Sequence, residues 1–73
     1  MAIQEIPAPM TGTVLEVLVA AGDKVNAGEE LLIVESMKME IPLESPFAGI
    51  VAEVLVAAQQ RIEEGELVLK LDI

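Results

Sequence analysis

The sequence predicts an all-β fold made of two like halves packed as a closed, pseudo-symmetric pair, and three observations carry that prediction. The first is an internal repeat. Residues 9–21 align without a gap to residues 46–58, so that Gly12 falls on Gly49, Glu16 on Glu53 and Ala21 on Ala58. The register continues at the same offset of about 37 positions through Gly28 on Gly65 and Leu32 on Leu69, with about a dozen identities in some thirty positions. The second is that residues 13–19 and 50–56 are rich in Val, Leu and Ile and are interrupted by a glutamate at the same place. No helical i, i+3, i+4 stripe fits them better than a strand. The third is punctuation: turn signals separate these runs at matched positions in both halves. A pair of repeats is too short for a solenoid, so the halves must bury their apolar faces on each other.

Taken in chain order, Pro7 and Pro9 precede the first long strand, and Pro42 and Pro46 precede its twin, at edges and entries where a missing N–H costs least. Within residues 13–19, Glu16 marks the outward face. That phase turns Leu15, Val17 and Val19 inward together with Ala52, Val54 and Val56. Val14 and Val51 then fall out of phase, which calls for a bulge or corner after Gly12 and Gly49. Ala21-Gly22-Asp23 signals a tight turn, and Asn26-Ala27-Gly28-Glu29 signals another, mirrored by Glu63-Glu64-Gly65-Glu66. Gln59-Gln60 stands where the first half has Gly22-Asp23. The second turn therefore lacks its glycine and must be either strained or differently shaped. In the last strand Leu67, Leu69, Leu71 and Ile73 alternate with Val68, Lys70 and Asp72. Carried back through the repeat, that phase puts Leu32 and Val34 inside and leaves Leu31 and Ile33 on the other face.

Composition narrows the chemistry. The 73 residues are 53% hydrophobic, yet Phe47 is the only aromatic side chain, so the core is aliphatic. With no cysteine and no histidine, the chain offers no disulfide, no thiolate or imidazole metal ligand and no thiol or histidine-based nucleophile. One small domain spanning residues 1–73 leaves no room for a large active-site cleft, and metal or hydrolytic chemistry is not expected of it. Thirteen acidic residues against four basic ones give a formal charge of −9, which repels nucleic acid and anionic membrane surfaces. No apolar run approaches the about 20 residues of a spanning helix. The expectation is a soluble, cytoplasmic protein.

The stretch Glu35-Ser36-Met37-Lys38-Met39-Glu40 lies at the junction of the two halves. If the strand ending near Ser36 pairs with the one starting near Glu40, the two are joined by a hairpin whose tip is Met37-Lys38. The repeat offset maps Met1 onto Lys38, so a two-fold exchanging the halves also exchanges the tip with the meeting place of the chain ends. Lys38 then projects from the end opposite the termini. Two-residue hairpins favour Asn-Gly, Asp-Gly or a glycine because their central residues take positive φ. Met-Lys is a costly choice there, by about 1–3 kcal/mol, and such strain points to function.

These residues resemble a known family. Glu35-Ser36-Met37-Lys38-Met39 resembles the Glu-Ala-Met-Lys-Met signature of biotinyl domains, the carriers of biotin-dependent carboxylases, decarboxylases and transcarboxylases. The family is likewise a gapless repeat of Pro-x-x-Gly-x-Val, a Gly-Asp turn and the signature, so the likeness covers nearly the whole chain. It implies a flattened barrel, or sandwich, of two four-stranded antiparallel sheets. It further implies that Lys38 is covalently modified with biotin by a separate biotin protein ligase, its neutral amine attacking biotinyl-adenylate. The resulting arm, on the order of 15 Å long by bond counting, would carry CO2 on the biotin ureido nitrogen between a biotin carboxylase and a carboxyltransferase or decarboxylase. Ser36 replaces the usual alanine, and Gln59-Gln60 the second Gly-Asp. The gapless halves leave no room for the protruding segment of many acetyl-CoA carboxylase carriers, which brings the likeness closer to the propionyl-CoA, pyruvate, decarboxylase and transcarboxylase type.

Met37 and Met39 are the other candidate cofactor-site residues, as soft exposed side chains that suit partner sites binding the biotin. Met39 reads equally as filler at the hairpin base. Glu35 and Glu40 read as solvated strand ends ahead of ligase contacts. Two alternatives remain at this stage: a lipoyl carrier, which shares the repeat but typically has Asp-Lys-Ala at the tip, and an unmodified interaction module on the same scaffold.

Overall fold

The two halves interlace, each contributing two strands to each of two sheets. A computed structural model describes residues 2–73, with eight strands: β1 (Ile3–Pro7), β2 (Gly12–Val17), β3 (Lys24–Val25), β4 (Glu30–Ser36), β5 (Met39–Glu44), β6 (Gly49–Val54), β7 (Arg61–Ile62) and β8 (Leu67–Asp72). They form two four-stranded sheets ordered β1-β8-β6-β3 and β5-β4-β2-β7, with every pairing antiparallel. Exchanging the halves turns the first order into the second, so the repeat is a property of the fold. Pro7 and Pro42 both sit on edge strands, β1 and β5, where no ladder hydrogen bond is forfeited.

The core is aliphatic, led by Leu31, Leu32, Val34, Ile62, Leu69 and Leu71, all fully buried. The inward phase differs from the sequence-based expectation in two symmetric places. Val14 and Val51 are buried at 0% and 1% exposure, while Leu15 is half-buried and Ala52 exposed. The register shift lies between Val14 and Glu16 and again between Val51 and Glu53. The bulge therefore falls at Leu15 and Ala52, beyond the position expected after the glycines, and it reverses the phase of the strand before it. Leu31 and Val68, expected on the outer face, are buried beside Leu32 and Leu69. A shift between Glu30 and Leu32, and one where Ile6 and Pro7 face Leu69 and Leu67, make these the extra residues of two further bulges. Each bulge admits two consecutive residues to the core. Ile73, expected inside, is exposed.

The tight turns obey the repeat closely. Asp23 accepts a hydrogen bond from the Ala20 N–H at 2.9 Å through its carboxylate, and Gln60 accepts one from the Ala57 N–H at 3.1 Å through its side-chain carbonyl. Gln59 adopts φ +74° where Gly22 has +97°. The glutamine turn thus has the shape of its glycine twin, and of the two outcomes open from the sequence it is the strained one. Its backbone is held by bonds from the Gln59 N–H to the Val14 carbonyl at 2.6 Å and from the Val14 N–H to the Gln60 carbonyl at 2.8 Å.

Met1, the residue aligned with Lys38, lies outside the described residues, but its neighbours carry the same point. Ala2 and Ile73 exchange backbone hydrogen bonds at 3.1 and 2.9 Å, the repeat equivalent of the Met39–Ser36 pair that closes the central hairpin. From that hairpin β5 runs away to Glu44, and Gly49 then packs on Asp72 and Ile73. The chain ends and the hairpin tip stand at opposite ends of a body 36 Å long.

Two stability outcomes follow from these geometries. Gln59→Gly removes a left-handed side-chain penalty and is expected to raise the unfolding free energy by about 1 kcal/mol in urea titration. A Cβ at position 12 would overlap the Glu35 carbonyl and the Val34 side chain, so Gly12→Ala is expected to lower it by about 2 kcal/mol or more.

Candidate functional site

The central hairpin has the two-residue form, with Ser36 opposite Met39 and Met37-Lys38 at the turn. Both turn residues take positive φ, +51° at Met37 and +66° at Lys38. This left-handed pair matches the right-handed twist of the flanking strands, but it costs an L side chain about 1–2 kcal/mol per residue. The consequence is directional: Lys38 is exposed at the apex, and Met37 beside it is 92% exposed. Met39 is 63% exposed. It is therefore a surface residue, and its reading as filler at the hairpin base is not what the structure has.

The hairpin is anchored from below. Gly12 lets β2 start against the backbone of Glu35, fixing where β4 leaves the body. Ser36 donates from its hydroxyl to the Thr11 carbonyl at 3.0 Å. The Thr11 hydroxyl in turn accepts from the Glu64 N–H at 3.1 Å. A chain of two hydrogen bonds so ties the hairpin base to the loop before β2 and to the turn before β8. This accounts for Ser36, whose hydroxyl no motif had explained. Thr11 and Glu64 were missed in the sequence because loop residues of common type carry no pattern. The repeat did hold a signal, since the twin of Thr11 is Ala48, with no hydroxyl to accept a bond, and the twin of Ser36 is Ile73, with none to donate.

Along the outer face below the tip, Glu40, Glu35, Thr13 and Arg61 stand in one cross-strand row. Glu35 and Glu40 are directly opposed like charges, a mildly destabilising pairing, and both are exposed as expected of solvated strand ends. An open groove of about 530 Å³ lies alongside, bounded by residues 10–13, the hairpin from Glu35 to Lys38, Arg61 and Glu64. The chemistry this arrangement offers is presentation: a primary amine at an exposed apex on a stiff stalk, with no enclosed cleft around it. It fits a group attached through an amide, because the amine is accessible and the anchoring bonds lie one residue or more below it.

A strand sandwich of like halves that holds one lysine out on a strained turn defines a carrier class of domain. The chain belongs to the family described as biotin-requiring enzyme, whose model matches residues 4–71. Within that family it is a non-catalytic carrier domain with biotin as its cofactor. It is 58% identical over 36 residues to the methylmalonyl-CoA carboxyltransferase 1.3S subunit of Propionibacterium freudenreichii subsp. shermanii, a match covering 49% of this chain and 29% of that one. The urea carboxylase of Kluyveromyces lactis superposes with a TM-score of 0.91 at 28% identity, over 99% of this chain and 6% of that one. The lipoyl domain of the 2-oxoglutarate dehydrogenase complex from Azotobacter vinelandii gives a TM-score of 0.81 at 27% identity, over 99% and 98% of the two chains. The chain thus spans well under two thirds of the length of the transcarboxylase subunit and the carboxylase. No helix among the described residues is long and apolar enough to cross a membrane.

Replacing Met37-Lys38 by Asn-Gly installs the residues the turn geometry prefers. That double variant is expected to be more stable than the parent by about 1–2 kcal/mol in chemical denaturation. Ser36→Ala is expected to be less stable by about 1 kcal/mol.

Proposed function

We propose that Lys38 is the residue to which biotin is attached, that residues 1–73 act as one carrier domain, and that the modification is made by a biotin protein ligase in the cytoplasm. The observation that carries this reading is the exposed lysine held at positive φ between Met37 and Met39. Nothing in local turn chemistry favours those residues there. The Lys38 Nζ, once deprotonated in the ligase site, attacks the acyl carbon of biotinyl-adenylate. An amide bond forms, AMP leaves, and the amine proton passes to a base or to water.

When bound, biotin supplies a ureido nitrogen that takes up and gives away a carboxyl group. What this chain contributes is placement. The tip lies at one end of the body and the chain ends at the other, so a protein joined through either end leaves the lysine free to enter partner sites. Tethering raises the local concentration of the arm at those sites without any new contact. Met37 and Met39, both exposed beside the lysine, offer unbranched, polarizable side chains that adapt to more than one surface. The partners proposed are a biotin carboxylase and a carboxyltransferase or decarboxylase, as domains or subunits of one biotin-dependent enzyme. The carboxyltransferase and carboxylase names among the relatives support this choice.

Intact mass after incubation with a biotin protein ligase, biotin and ATP is expected to rise by one biotinyl group, and Lys38→Ala is expected to abolish the rise. A lipoyl increment from a lipoyl ligase with no biotinyl increment, or avidin reactivity persisting in Lys38→Ala, would overturn the assignment. Met37→Leu and Met39→Leu are expected to leave stability unchanged and to slow biotinylation or carboxyl transfer; equal rates in both assays would remove the methionines from the site.

A further inference from the structure

The two-fold relation between the halves supplies an internal control for the groove beside Lys38. Its repeat equivalent exists at the other end of the body, a smaller groove of about 290 Å³ lined by Lys24, Val25, Asn26, Ala48, Gly49 and Ile50. The backbone is the same in both places, down to the glycine at the head of β2 and of β6. The side chains are not. Where the distal groove has Ala48 and Ile50, the groove beside the lysine has Thr11 and Thr13. Its turn brings Glu64 where the twin turn has Ala27, and its wall carries Ser36 where the twin has Ile73. A cation is common to both ends, Arg61 beside the lysine and its twin Lys24 in the distal groove, but the hydroxyls and the carboxylate at the lysine end stand where the twin has alkyl side chains.

Two of these groups are spoken for structurally, Thr11 and Ser36, by the hydrogen bonds that anchor the hairpin. Arg61 is not. Among the described residues the sole ion pair joins Lys70 to Glu53, and no hydrogen bond engages the Arg61 guanidinium, the Glu64 carboxylate or the Thr13 hydroxyl. The groove is therefore walled by a guanidinium donor, a carboxylate acceptor and a hydroxyl, none of them occupied, with Met10 and Met37 as its apolar lining.

We infer that this groove is a resting site for the ureido ring of the biotin carried on Lys38, with Arg61 donating to the ureido carbonyl, Glu64 accepting from a ureido N–H, and Met10 and Met37 covering the sulfur-containing ring. The inference rests on attachment at Lys38. A cyclic urea presents one carbonyl acceptor flanked by N–H donors, which is the complement of a guanidinium beside a carboxylate. Reach agrees. Arg61 lies two strands across from β4 and three residues down from the tip, about 10 Å in each direction at sheet spacings, so about 14 Å in all. The lysyl arm is on the order of 15 Å. Because the ring is tethered, weak contacts suffice to hold it there much of the time. Partner sites then compete with the groove for the ring, and the ring is kept off solvent in transit.

Comparison of amide and guanidinium NMR spectra of the unmodified and fully biotinylated protein tests this, with intact mass measured on the same sample. The expected result is shifts at Thr13, Glu64 and the Arg61 Nε–H beyond those of the hairpin, and cross-peaks from the ureido protons to Arg61. Arg61→Ala and Thr13→Ile, the latter importing the twin's residue, are each expected to lose the remote shifts while keeping the dispersed spectrum of a folded protein. Full biotinylation by mass with shifts confined to residues 36–40, or with remote shifts that persist in both variants, overturns the resting site and leaves the carrier reading standing. Absence of a biotinyl mass increment overturns the carrier reading instead.

Discussion

The close approach of β2 to the end of β4 is the constraint on which the rest depends. At Gly12 there is no space for a side chain between the strand and the Glu35 carbonyl, and at Gly49 the same holds against Asp72. Each contact sets two strands of one half against each other, β2 on β4 at one end of the body and β6 on β8 at the other, and everything above them inherits that position. The loop before β2 lies where the Thr11 carbonyl meets the Ser36 hydroxyl. β4 leaves the body at one defined point, and the hairpin is short enough that its apex is fixed within the reach of two residues. A glycine here is a requirement of backbone proximity, since the same residue at the tip, where conformation alone would favour it, is absent.

That contrast shows how backbone strain is distributed. Among the described residues, three other than glycine take positive φ: Met37, Lys38 and Gln59. Gln59 sits in a turn whose backbone bonds to Val14 and whose neighbour Gln60 reproduces the capping bond of Asp23. The surrounding bonds impose the conformation there, and the side chain merely tolerates it. At the tip the situation is reversed. The flanking Ser36–Met39 pair demands a left-handed turn, and the residues that would relax it carry no amine. Strain of similar size thus has two origins, one a tolerated drift in the repeat and one the cost of keeping a lysine at an apex.

Much of this was readable from the chain. The repeat located the long strands, the hairpin and the tip, because a constant offset survives whatever happens to individual side chains, whereas β1 and the two-residue strands β3 and β7 were not read from it. The inward phase failed where a bulge intervened. Leu15 and Ala52 are the inserted residues, so extrapolating alternation from Glu16 placed Val14 and Val51 outside when they are in the core. Leu31 and Val68 failed for the same reason. Alternation is a local rule, and a bulge is set by how two strands meet, which a single strand's sequence does not contain. Arg61 and Glu64 were invisible for a related cause. Only the pairing of β7 with β2 brings them beside residues some fifty positions earlier.

Symmetry also explains why presentation and attachment to a larger protein are compatible in so small a body. A two-fold exchanging the halves must create two equivalent ends, and the backbone at one must match the backbone at the other. The chain crosses from strand to strand at one end, through Met37 and Lys38, and at the other end Ala2 and Ile73 pair without such a turn between them. Any flanking chain joins at that second end. The separation of the lysine from the point of tethering is therefore not a feature added to the fold but a result of where a doubled chain can turn. What selection could still adjust independently was the side-chain content of the two ends. Its divergence, from Ala48 and Ile50 at one to Thr11 and Thr13 at the other, falls at the end where the lysine is.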